Sequence, residues 1–325
     1  MKVKAIVVSK PGGPEALQLQ DRELPEPGPG QVRVRLKAIG VNFVDVYHRE
    51  GRYPIPPPFT PGSEGAGVVE ALGPDVEGVK VGERVAYAME LGAYAEAANV
   101  HVWRLIPIPD GLELEKAAAV LLQGMTAQFL VSQTYAVQRG DAVLVHAAAG
   151  GVGLWLCALA KERGATVLGT VGSEEKAAHA KTVGADHAIL YRTQDVATEV
   201  ARLTKGEKCA AVYDGVGKDT FAGSLDSLRR RGVLALYGMA SGPVPPFDLS
   251  QLAQKGSLFV TRPSLRDYAF DRASTLALGK PVLQGVRDGR YALHIDRALP
   301  LAEVAQAHEL LEGRATRGKL ILTVG

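Results

Sequence analysis

Small residues are concentrated in one segment of this chain, which we call the glycine-rich turn: His146-Ala147-Ala148-Ala149-Gly150-Gly151-Val152-Gly153. At Gly150 the missing Cβ lets the backbone approach a bulky anion, and at Gly153 it lets a following helix pack close to the preceding strand. Free N–H groups at a helix start attract phosphate. The pattern is A-x-G-x-x-G, with Ala148 where many such turns have their first glycine. A phosphate-binding turn is therefore predicted. The residues expected against the ligand are Ala149, Gly150, Gly151 and Val152.

The elements around the glycine-rich turn indicate what it binds. The apolar run Ala142–Val145 precedes it and is typical of a buried parallel strand. An apolar helical pattern follows over 154–161, and a second strand-like run comes at Thr166–Val171. A glycine turn alone could be a tight connection, but a turn inside a βαβ unit is the context that dinucleotide binding requires. We therefore expect a dinucleotide here.

The residues after the second strand decide which dinucleotide is preferred. NAD-specific sites usually carry Asp or Glu about 20 residues past the glycine turn, where it bonds the ribose 2′-hydroxyl. Here that place holds Gly172 and Ser173. Ser173 can cap a helix and donate to phosphate, Lys176 adds a cation, and Tyr191-Arg192 ends the next strand with further donors. This pattern predicts NADPH. The alternative is that Glu174 binds the ribose of NADH while Lys176 is solvated.

The bulk composition argues against several classes of protein. A formal net charge of +2 gives no electrostatic case for nucleic acid or an anionic membrane, and Arg229–Arg231 is expected to be a solvated helix end. No apolar run approaches the roughly 20 residues that span a bilayer. Neither Cys157 nor Cys209 has a cysteine or histidine at metal-ligand spacing, so we expect buried thiols in a reducing compartment. We therefore expect a cytoplasmic protein.

The first part of the chain is predicted to be rich in β-strands. Gln31–Leu36 alternates between polar and apolar residues, which is typical of a half-buried antiparallel strand with Arg33 facing outward. The further predicted strands are 66–71, 83–88, 93–97 and 102–106. Turns rich in glycine and proline separate these strands, which indicates a small barrel.

From Glu113 onward the pattern changes to alternating helices and strands. Residues 115–131 are predicted to form one long helix. The strands predicted after it lie near Val143, Val167, His187–Leu190, Ala210–Tyr213, Val233–Tyr237 and Leu258–Thr261. With helices between them, these strands predict an α/β fold with a doubly wound parallel sheet of the Rossmann type.

The C-terminal segment ends in another strand-like run, 319–324, which needs a sheet to join. The β-rich first part is its natural host, so the first domain is expected to be discontinuous. We predict a β-rich domain over 1–124 and 266–325, which the family resemblance given below makes the catalytic domain, and a Rossmann domain over 125–265.

Segments along nearly the whole chain match one known family, in the same order. They are Gly40–Asp45, Pro61–Gly67, the glycine-rich turn, Gly172–Lys176, Val212–Gly217, Lys255–Ser264 and Arg314–Gly318. The chain resembles the zeta-crystallin-like NADPH:quinone oxidoreductases, a zinc-free family of the medium-chain dehydrogenase/reductase superfamily, and is especially similar to its bacterial members. The resemblance implies a GroES-like β-barrel domain in addition to the Rossmann domain, NADPH as the cofactor and a quinone as the substrate.

The resemblance also implies roles for individual residues. The expected catalytic residues are Asn42, Asp45 and Tyr47, which would approach the nicotinamide half, and Tyr53, which would border the substrate opening. Asn42, Gln123 and Thr126 would contact the cofactor near its nicotinamide. The residues expected at the 2′-phosphate end are Lys176, Tyr191 and Arg314. Those expected along the rest of the dinucleotide are Val216, Gly217, Tyr237, Gly238, Met239, Ala240, Arg262 and Leu265.

The departures from the zinc-dependent members of that superfamily bear on mechanism. Those enzymes use Cys and His ligands where this chain has Asn42 and Ser63, and no cysteine precedes Cys157. Without thiolate or imidazole ligands we expect no metal site. A quinone is then a fitting hydride acceptor, because it needs orientation more than electrophilic help. Tyr47 and Tyr53 are candidate proton donors; alternatively they only pack against the nicotinamide.

Two other functions remain open on the sequence. One is NADPH-dependent reduction of the double bond of an enone or alkenal, and the other is NADPH binding without catalysis, as in a lens crystallin or an RNA-binding protein. Ser257–Thr261 is expected to be an exposed apolar edge strand, which invites pairing. The resemblance implies that this edge pairs with its counterpart in a homodimer.

Overall fold

The computed structural model describes residues 1–313 and 316–325, which form two compact units. Unit 1 comprises Met1–Met125 and Tyr268–Gly325, and unit 2 comprises Thr126–Asp267. Unit 1 is thus discontinuous in sequence. The two units meet in sequence at 125/126 and at 267/268.

The strands and helices are numbered in chain order. The strands are β1 (Lys2–Val7), β2 (Gln18–Glu23), β3 (Gln31–Gly40), β4 (Glu64–Leu72), β5 (Arg84–Ala88), β6 (Ala97–His101), β7 (Ile106–Pro107), β8 (Ala142–Val145), β9 (Thr166–Val171), β10 (His187–Leu190), β11 (Cys209–Asp214), β12 (Leu228–Leu236), β13 (Phe259–Thr261), β14 (Ile295–Pro300) and β15 (Lys319–Thr323). The helices are α1 (Phe43–Arg49), α2 (Leu114–Phe129), α3 (Gly151–Glu162), α4 (Glu174–Thr182), α5 (Val196–Leu203), α6 (Phe221–Asp226), α7 (Ser250–Gln254), α8 (Leu265–Tyr268), α9 (Arg272–Arg287) and α10 (Val304–Glu312).

Unit 2 is built on a parallel sheet. The order of its described strands is β10-β9-β8-β11-β12-β13, which is 3-2-1-4-5-6 when they are numbered within the unit. Val143, Leu144 and Val145 of the central strand β8 are fully buried, because helices cover both faces of such a sheet. This order is that of a Rossmann fold, and the prediction of a doubly wound parallel sheet is confirmed.

Unit 1 contains a mainly antiparallel sheet. Its described strands lie in the order β14-β15-β3-β4-β5-β7, and β6 also pairs with β3. The C-terminal strand β15 pairs with β3 through Leu322 and Ile39, so the expectation that it joins the β-rich first part is confirmed. The inward residues of β3 form one hydrophobic core with those of β15, including Val34, Leu36 and Leu320.

Two predicted strands of unit 1 are wrong. The run 93–97 forms a single isolated bridge, between Ala95 and Ala5, because its other backbone groups bond to separate segments such as Pro61; the strand β6 begins only at Ala97. In the run 102–106, Val102–Arg104 is a 3-10 turn, and only Ile106–Pro107 pairs as a strand. Helix α1 and strand β14 were not predicted from the sequence.

Two arginine predictions are also corrected. Arg33 is only 6% exposed, because the N-terminal segment covers it: its guanidinium donates to Pro25 O at 2.9 Å and pairs with Glu26 at 3.1 Å. Arg229–Arg231 belongs to strand β12 rather than to a helix end, since α6 already ends at Asp226.

Across the described residues, no helix has the length and hydropathy needed to cross a membrane.

Candidate functional site

The glycine-rich turn of unit 2 lies between the end of β8 and the start of α3. Ala147 has a φ of 50°, and Gly150 caps α3 in an extended conformation. The first hydrogen bond of the helix joins Leu154 N–H to Gly150 O at 2.9 Å. The N–H groups of the first three helical residues, Gly151, Val152 and Gly153, therefore precede the helical hydrogen bonds and are directed toward the N-terminal end.

Close packing behind the turn explains its small residues. A Cβ on Gly153 would overlap Ala147 O, so α3 can approach the end of β8 only with glycine at this position. Ala148 and Ala149 are buried, and the Ala148 side chain packs against Gly169 of β9. The turn therefore offers backbone N–H groups and the positive end of a helix dipole, which fit a pyrophosphate.

A buried histidine connects the turn to a second loop. His146 Nδ1 lies 3.0 Å from Thr170 Oγ1, and Nε2 lies 3.0 Å from Ser224 Oγ. Ser224 donates to Asp214 at 2.8 Å, so its oxygen accepts the Nε2 hydrogen of His146. Burial lowers the pKa of His146, which favours the neutral form with Nδ1 as an acceptor.

Asp214 in turn shapes the loop that follows β11. Its Oδ1 accepts from Val216 N at 2.8 Å and from Gly217 N at 3.0 Å. The loop after β12 lies beside it, since Tyr237 N donates to Asp214 O. Val216 and Gly217 were assigned to the cofactor in advance, but no role was given to His146 and Asp214, whose signal is only a polar residue at the end of an apolar strand.

The predicted residues that directly follow β12 and β13 lie at the same edge of the sheet, because parallel strands end together. Met239 and Ala240 adjoin the Val216–Gly217 loop, where Ala240 N donates to Gly215 O at 3.2 Å. Arg262 follows β13 and donates to Leu236 O at 2.8 Å. The other predicted residues of unit 2 are Gly238 after β12, which is buried, Leu265, which is 5% exposed at the start of α8, and Thr126, which is 9% exposed on α2.

The residues expected at the 2′-phosphate lie at the end of β9. Ser173 caps α4, and its Oγ accepts from Lys176 N at 3.3 Å. A Cβ on Gly172 would lie 2.9 Å from Tyr191 Oη, so the tyrosine lies against Gly172, and it is 42% exposed. The structure thus brings Gly172, Ser173 and Tyr191 together at the start of α4. Arg314 lies outside the described residues.

In unit 1, a charged cluster surrounds the start of α1. We call Asn42, Glu64 and Lys319 the Asn42 cluster. Lys319 Nζ lies 2.7 Å from Asn42 Oδ1 and 2.7 Å from Glu64 Oε2, and all three side chains are buried. Glu64 Oε1 also accepts from Leu122 N of α2 at 2.7 Å. A Cβ on Gly40 would overlap the Glu64 carboxylate, so this close approach requires glycine at the end of β3.

A second set of buried polar groups, the Asp45 network, adjoins the Asn42 cluster and consists of Asp45, Ser63, Tyr94 and His308. Asp45 is fully buried and accepts from Ser63 Oγ at 2.8 Å, Tyr94 Oη at 3.0 Å and Asn42 N at 2.9 Å. Burial raises the pKa of Asp45 to about 6, against the lowering effect of these bonds. Asp45 therefore holds the N-terminal end of α1 and reaches no solvent.

His308 completes the Asp45 network from α10. Arg49 Nη1 lies 3.2 Å from His308 Nδ1, and a guanidinium can only donate, so Nδ1 accepts and the hydrogen is on Nε2. Nε2 lies 3.0 Å from Tyr94 Oη. Burial, and secondarily the charge of Arg49, lowers the pKa of His308 to about 3. The hydrogen bonds of the network therefore all run one way: His308 donates to Tyr94, and Tyr94 donates to Asp45.

The aromatic residues expected near the substrate lie together on and after α1. The rings of Tyr47 and Tyr53 are 5.3 Å apart at 71°, and Tyr53 N donates to Tyr47 O at 3.1 Å. Tyr47 is 5% exposed, whereas Tyr53 is partly exposed. Gln123 is partly exposed on α2, one residue after Leu122. Within residues 1–313 and 316–325, no group of three or more His, Cys, Asp or Glu side chains could hold a metal ion.

Two family profiles match the chain. The profile described as "Alcohol dehydrogenase GroES-like domain" matches residues 28–110, and the one described as "Zinc-binding dehydrogenase" matches residues 151–273. The first match lies in unit 1 and confirms the predicted GroES-like fold there. The second covers most of the Rossmann sheet.

Individual relatives agree with these profiles over the full length. A quinone oxidoreductase from Pseudomonas aeruginosa is 48% identical, covering 98% of this chain and 99% of the relative. A 2-haloacrylate reductase from Burkholderia sp. is 44% identical, covering 98% of each. The crystal structure of Escherichia coli quinone oxidoreductase complexed with NADPH superimposes with a TM-score of 0.95 at 39% identity, covering 99% of each chain. The chain therefore belongs to the quinone oxidoreductase family of the medium-chain dehydrogenase/reductase superfamily.

Proposed function

We propose that this protein is an NADPH-dependent quinone oxidoreductase that works without zinc. The proposal is carried by the glycine-rich turn, whose N–H groups at the start of α3 fit a pyrophosphate. The relative from Pseudomonas aeruginosa is named a quinone oxidoreductase, which supports a quinone as the substrate. The NADPH complex of the Escherichia coli relative supports NADPH as the cofactor.

NADPH is proposed over NADH because no carboxylate follows β9 directly. Gly172 and Ser173 occupy that place, and Lys176 adds a positive charge within the first turn of α4. Tyr191 lies against Gly172, where its hydroxyl can donate to a 2′-phosphate. Arg314 is assigned to the same phosphate by family resemblance alone.

When bound, NADPH supplies a hydride from its nicotinamide ring. The chain's own residues orient the two reactants, which is the main requirement for a quinone. We assign the acceptor to the paired rings of Tyr47 and Tyr53, whose hydroxyls are the candidate proton donors. Asp45 is a positioning residue in this proposal, because its carboxylate is enclosed and acts through Asn42 and Ser63.

A second candidate is reduction of an activated carbon–carbon double bond. The relative from Burkholderia is named a 2-haloacrylate reductase, and it is 44% identical to this chain. Such a reaction uses the same hydride donor and also ends with protonation of the reduced product. The acceptor therefore decides between the two functions.

A homodimer is proposed through β13, the last strand of the parallel sheet. Phe259 is 57% exposed and Val260 is 38% exposed on this strand, which is a large apolar exposure for a sheet edge. We also propose a cytoplasmic location, because the buried free thiols Cys157 and Cys209 suit a reducing compartment. A mass of one chain in light scattering would contradict the dimer.

The test of function is a panel of acceptors assayed with NADPH and with NADH. We expect the largest kcat/KM with NADPH and a quinone such as 1,4-benzoquinone. A larger kcat/KM for an enone or a 2-haloacrylate would replace the quinone assignment by the second candidate. Failure to oxidise NADPH with every acceptor, while NADPH still binds, would instead favour a binding protein.

Cofactor choice is tested by Lys176→Ala. Loss of one partly screened contact with phosphate should weaken NADPH binding about fivefold and leave NADH binding unchanged. Lys181→Ala, on the exposed part of the same helix, is the matched control and should change neither. Equal weakening of both cofactors by Lys176→Ala would show that this lysine does not contact the 2′-phosphate. Binding is measured by titrating the fluorescence of each reduced cofactor.

A further inference from the structure

Ser224 joins two segments that belong to different halves of the parallel sheet. A Rossmann sheet consists of two mononucleotide-binding halves, here β8 to β10 and β11 to β13, and a dinucleotide lies across both. The glycine-rich turn follows β8, and the Val216–Gly217 loop follows β11. A contact that fixes the distance between these two segments therefore also fixes the span that a dinucleotide must bridge.

The link consists of three buried side chains in a row. His146 Nε2, at the start of the turn, lies 3.0 Å from Ser224 Oγ, and Ser224 Oγ donates to Asp214 Oδ2 at 2.8 Å. His146 is 2% exposed, and the other two side chains are fully buried. A buried polar group that lost its partner would stay unsatisfied, so these two hydrogen bonds resist separation of the turn from the loop.

Asp214 is the part of this link that shapes the loop. Its Oδ1 accepts from the N–H groups of Val216 and Gly217. Its Oδ2 accepts from Ser224 Oγ and, at 2.7 Å, from Thr220 Oγ1. Both ends of the side chain are thus acceptors, which an amide could not supply, because one of its ends only donates. The carboxylate therefore ties the backbone of the loop to α6.

The loop after β12 is attached to the Val216–Gly217 loop. Ser241 donates to Val216 O through its N–H at 2.8 Å and through its hydroxyl at 2.9 Å. Tyr237 N donates to Asp214 O at 2.9 Å. The link at Ser224 therefore sets the position of two loops relative to the glycine-rich turn.

We infer that Ser224 is a positioning residue for the cofactor: through His146 and Asp214 it holds the glycine-rich turn and the Val216–Gly217 loop at the spacing that NADPH spans. Ser224 is fully buried, so it acts on the ligand only through these two segments. This inference rests on the proposed function. Without the link each segment could still form, but binding would have to bring the two to the correct distance, which costs affinity.

The experiment compares NADPH with adenosine 2′,5′-bisphosphate, which lacks the nicotinamide half of the cofactor. In Ser224→Ala we expect the Kd of NADPH to rise about fivefold, the effect of one neutral hydrogen bond, because NADPH spans both halves of the sheet. The Kd of the bisphosphate should not change. Its 2′-phosphate is assigned to the start of α4, in the same half of the sheet as the glycine-rich turn. Isothermal titration calorimetry measures both ligands.

Ser227→Ala is the matched control. Ser227 directly follows α6 and is as fully buried as Ser224, but its hydroxyl donates to Gly223 O at 2.7 Å instead. Its loss should destabilise the protein in urea and leave both Kd values unchanged. An unchanged Kd of NADPH in Ser224→Ala, equal weakening of both ligands, or the same weakening in Ser227→Ala would each overturn the inference. A wild type that does not bind NADPH would instead refute the proposed function.

A second variant tests the link without any ligand. In the wild type Ser224 donates to Asp214, so His146 carries its hydrogen on Nε2. In Asp214→Asn the amide oxygen must face the N–H groups of Val216 and Gly217, and the NH2 then faces Ser224. Ser224 must now donate to His146, whose hydrogen should move to Nδ1. The NMR chemical shifts of the two ring nitrogens report this change, and the same tautomer in both proteins would overturn the inference.

Discussion

The glycine-rich turn of unit 2 and the Asn42 cluster of unit 1 both serve a polar ligand in the proposed function, but they are built in opposite ways. The turn uses backbone N–H groups and missing side chains within 146–153, and the close approach of Gly153 to Ala147 that shapes it joins neighbours in sequence. The Asn42 cluster uses charged side chains that lie 22 to 277 residues apart. The turn therefore depends on local conformation, whereas the cluster depends on the completed tertiary structure.

The difference has an electrostatic consequence. Backbone N–H groups do not titrate, so the phosphate-binding contacts of the turn should be indifferent to pH. The titratable residue at its start, His146, faces Thr170 and Ser224 instead. The Asp45 network beside the Asn42 cluster contains two buried groups that do titrate. Burial favours the uncharged form of both groups, so it raises the pKa of Asp45 and lowers the pKa of His308. As the pH rises, the first shift lowers the free energy of unfolding and the second raises it.

The largest predicted effect is therefore a pH dependence of unfolding. His308 has a folded pKa of about 3, below its ordinary 6.5. Its contribution to the free energy of unfolding is therefore fully present above pH 6.5 and is lost as the pH falls toward 3, by roughly 5 kcal/mol in all. Asp45 has a folded pKa of about 6, above its ordinary 3.8, so its contribution is present below pH 3.8 and is lost as the pH rises through 6, by roughly 3 kcal/mol.

Single substitutions separate the pH dependence that Asp45 causes from the one that His308 causes. Asp45→Asn should leave a free energy of unfolding that rises with pH between 4 and 6.5 more steeply than in the wild type. His308→Gln keeps one acceptor for Arg49 and one donor for Tyr94, and should leave the opposite slope. Urea unfolding at several pH values measures both. Curves parallel to the wild type would show that neither group titrates in the folded protein as stated.

The next largest effect is expected from Lys319→Met. It leaves the fully buried Glu64 carboxylate without its cation and should lower the free energy of unfolding by about 4 kcal/mol. Adding Glu64→Gln should restore most of that loss, because no buried charge is then unpaired. Urea unfolding at pH 7 provides both numbers. A double variant no more stable than the single one would mean that packing, rather than charge, holds the cluster together.

A smaller effect is expected in the glycine-rich turn from Gly153→Ala. The added Cβ overlaps Ala147 O, so α3 must shift, at a cost of about 2 kcal/mol, and NADPH binding should weaken with it. Gly223→Ala is the matched control, since a Cβ there meets nothing within 4 Å and α6 gains helix propensity. The loss in Gly153→Ala should be equal at pH 5 and pH 8. If the loss of stability in Gly153→Ala differed between pH 5 and pH 8, the turn would depend on a titrating group, as the Asp45 network does.

The smallest effect is expected from Ala147→Gly. Ala147 adopts a φ of 50° and is exposed, so glycine removes the steric cost of the left-handed conformation without emptying the core. The free energy of unfolding should rise by up to about 1 kcal/mol, less the extra entropy of a glycine in the unfolded chain. A thermal melt compares the two proteins. A lower Tm would indicate that the Ala147 methyl group makes a stabilising contact.

The same contrast explains how much could be predicted from the sequence. Gly150 and Gly153 were found because strand, turn and helix follow one another within a short segment, where periodicity and residue type are informative. The parallel sheet followed from the same alternation. Lys319 was seen only as the first residue of a closing strand, and nothing in the sequence shows that its ammonium meets Asn42.

Tyr94 and His308 were missed for the same physical reason. Each is an isolated polar residue within apolar surroundings, and its role depends on a partner that another element brings to it, 214 residues away in this case. The predicted strand over 93–97 also obscured Tyr94, because that segment makes separate bonds to several neighbours. The position of Asn42 and Asp45 at the start of a helix became clear only with α1.

Because unit 1 is discontinuous in sequence, its two segments are synthesised before and after unit 2. On the ribosome, Asn42 and Glu64 emerge early, and all of unit 2 is synthesised before Lys319 follows them by 255 residues or more. Because domains tend to fold as units during translation, the nascent chain can complete its parallel sheet while a buried carboxylate in unit 1 still lacks its cation. Asn42 and Glu64 are thus made before unit 2, yet they reach their final environment only once Lys319 has followed it.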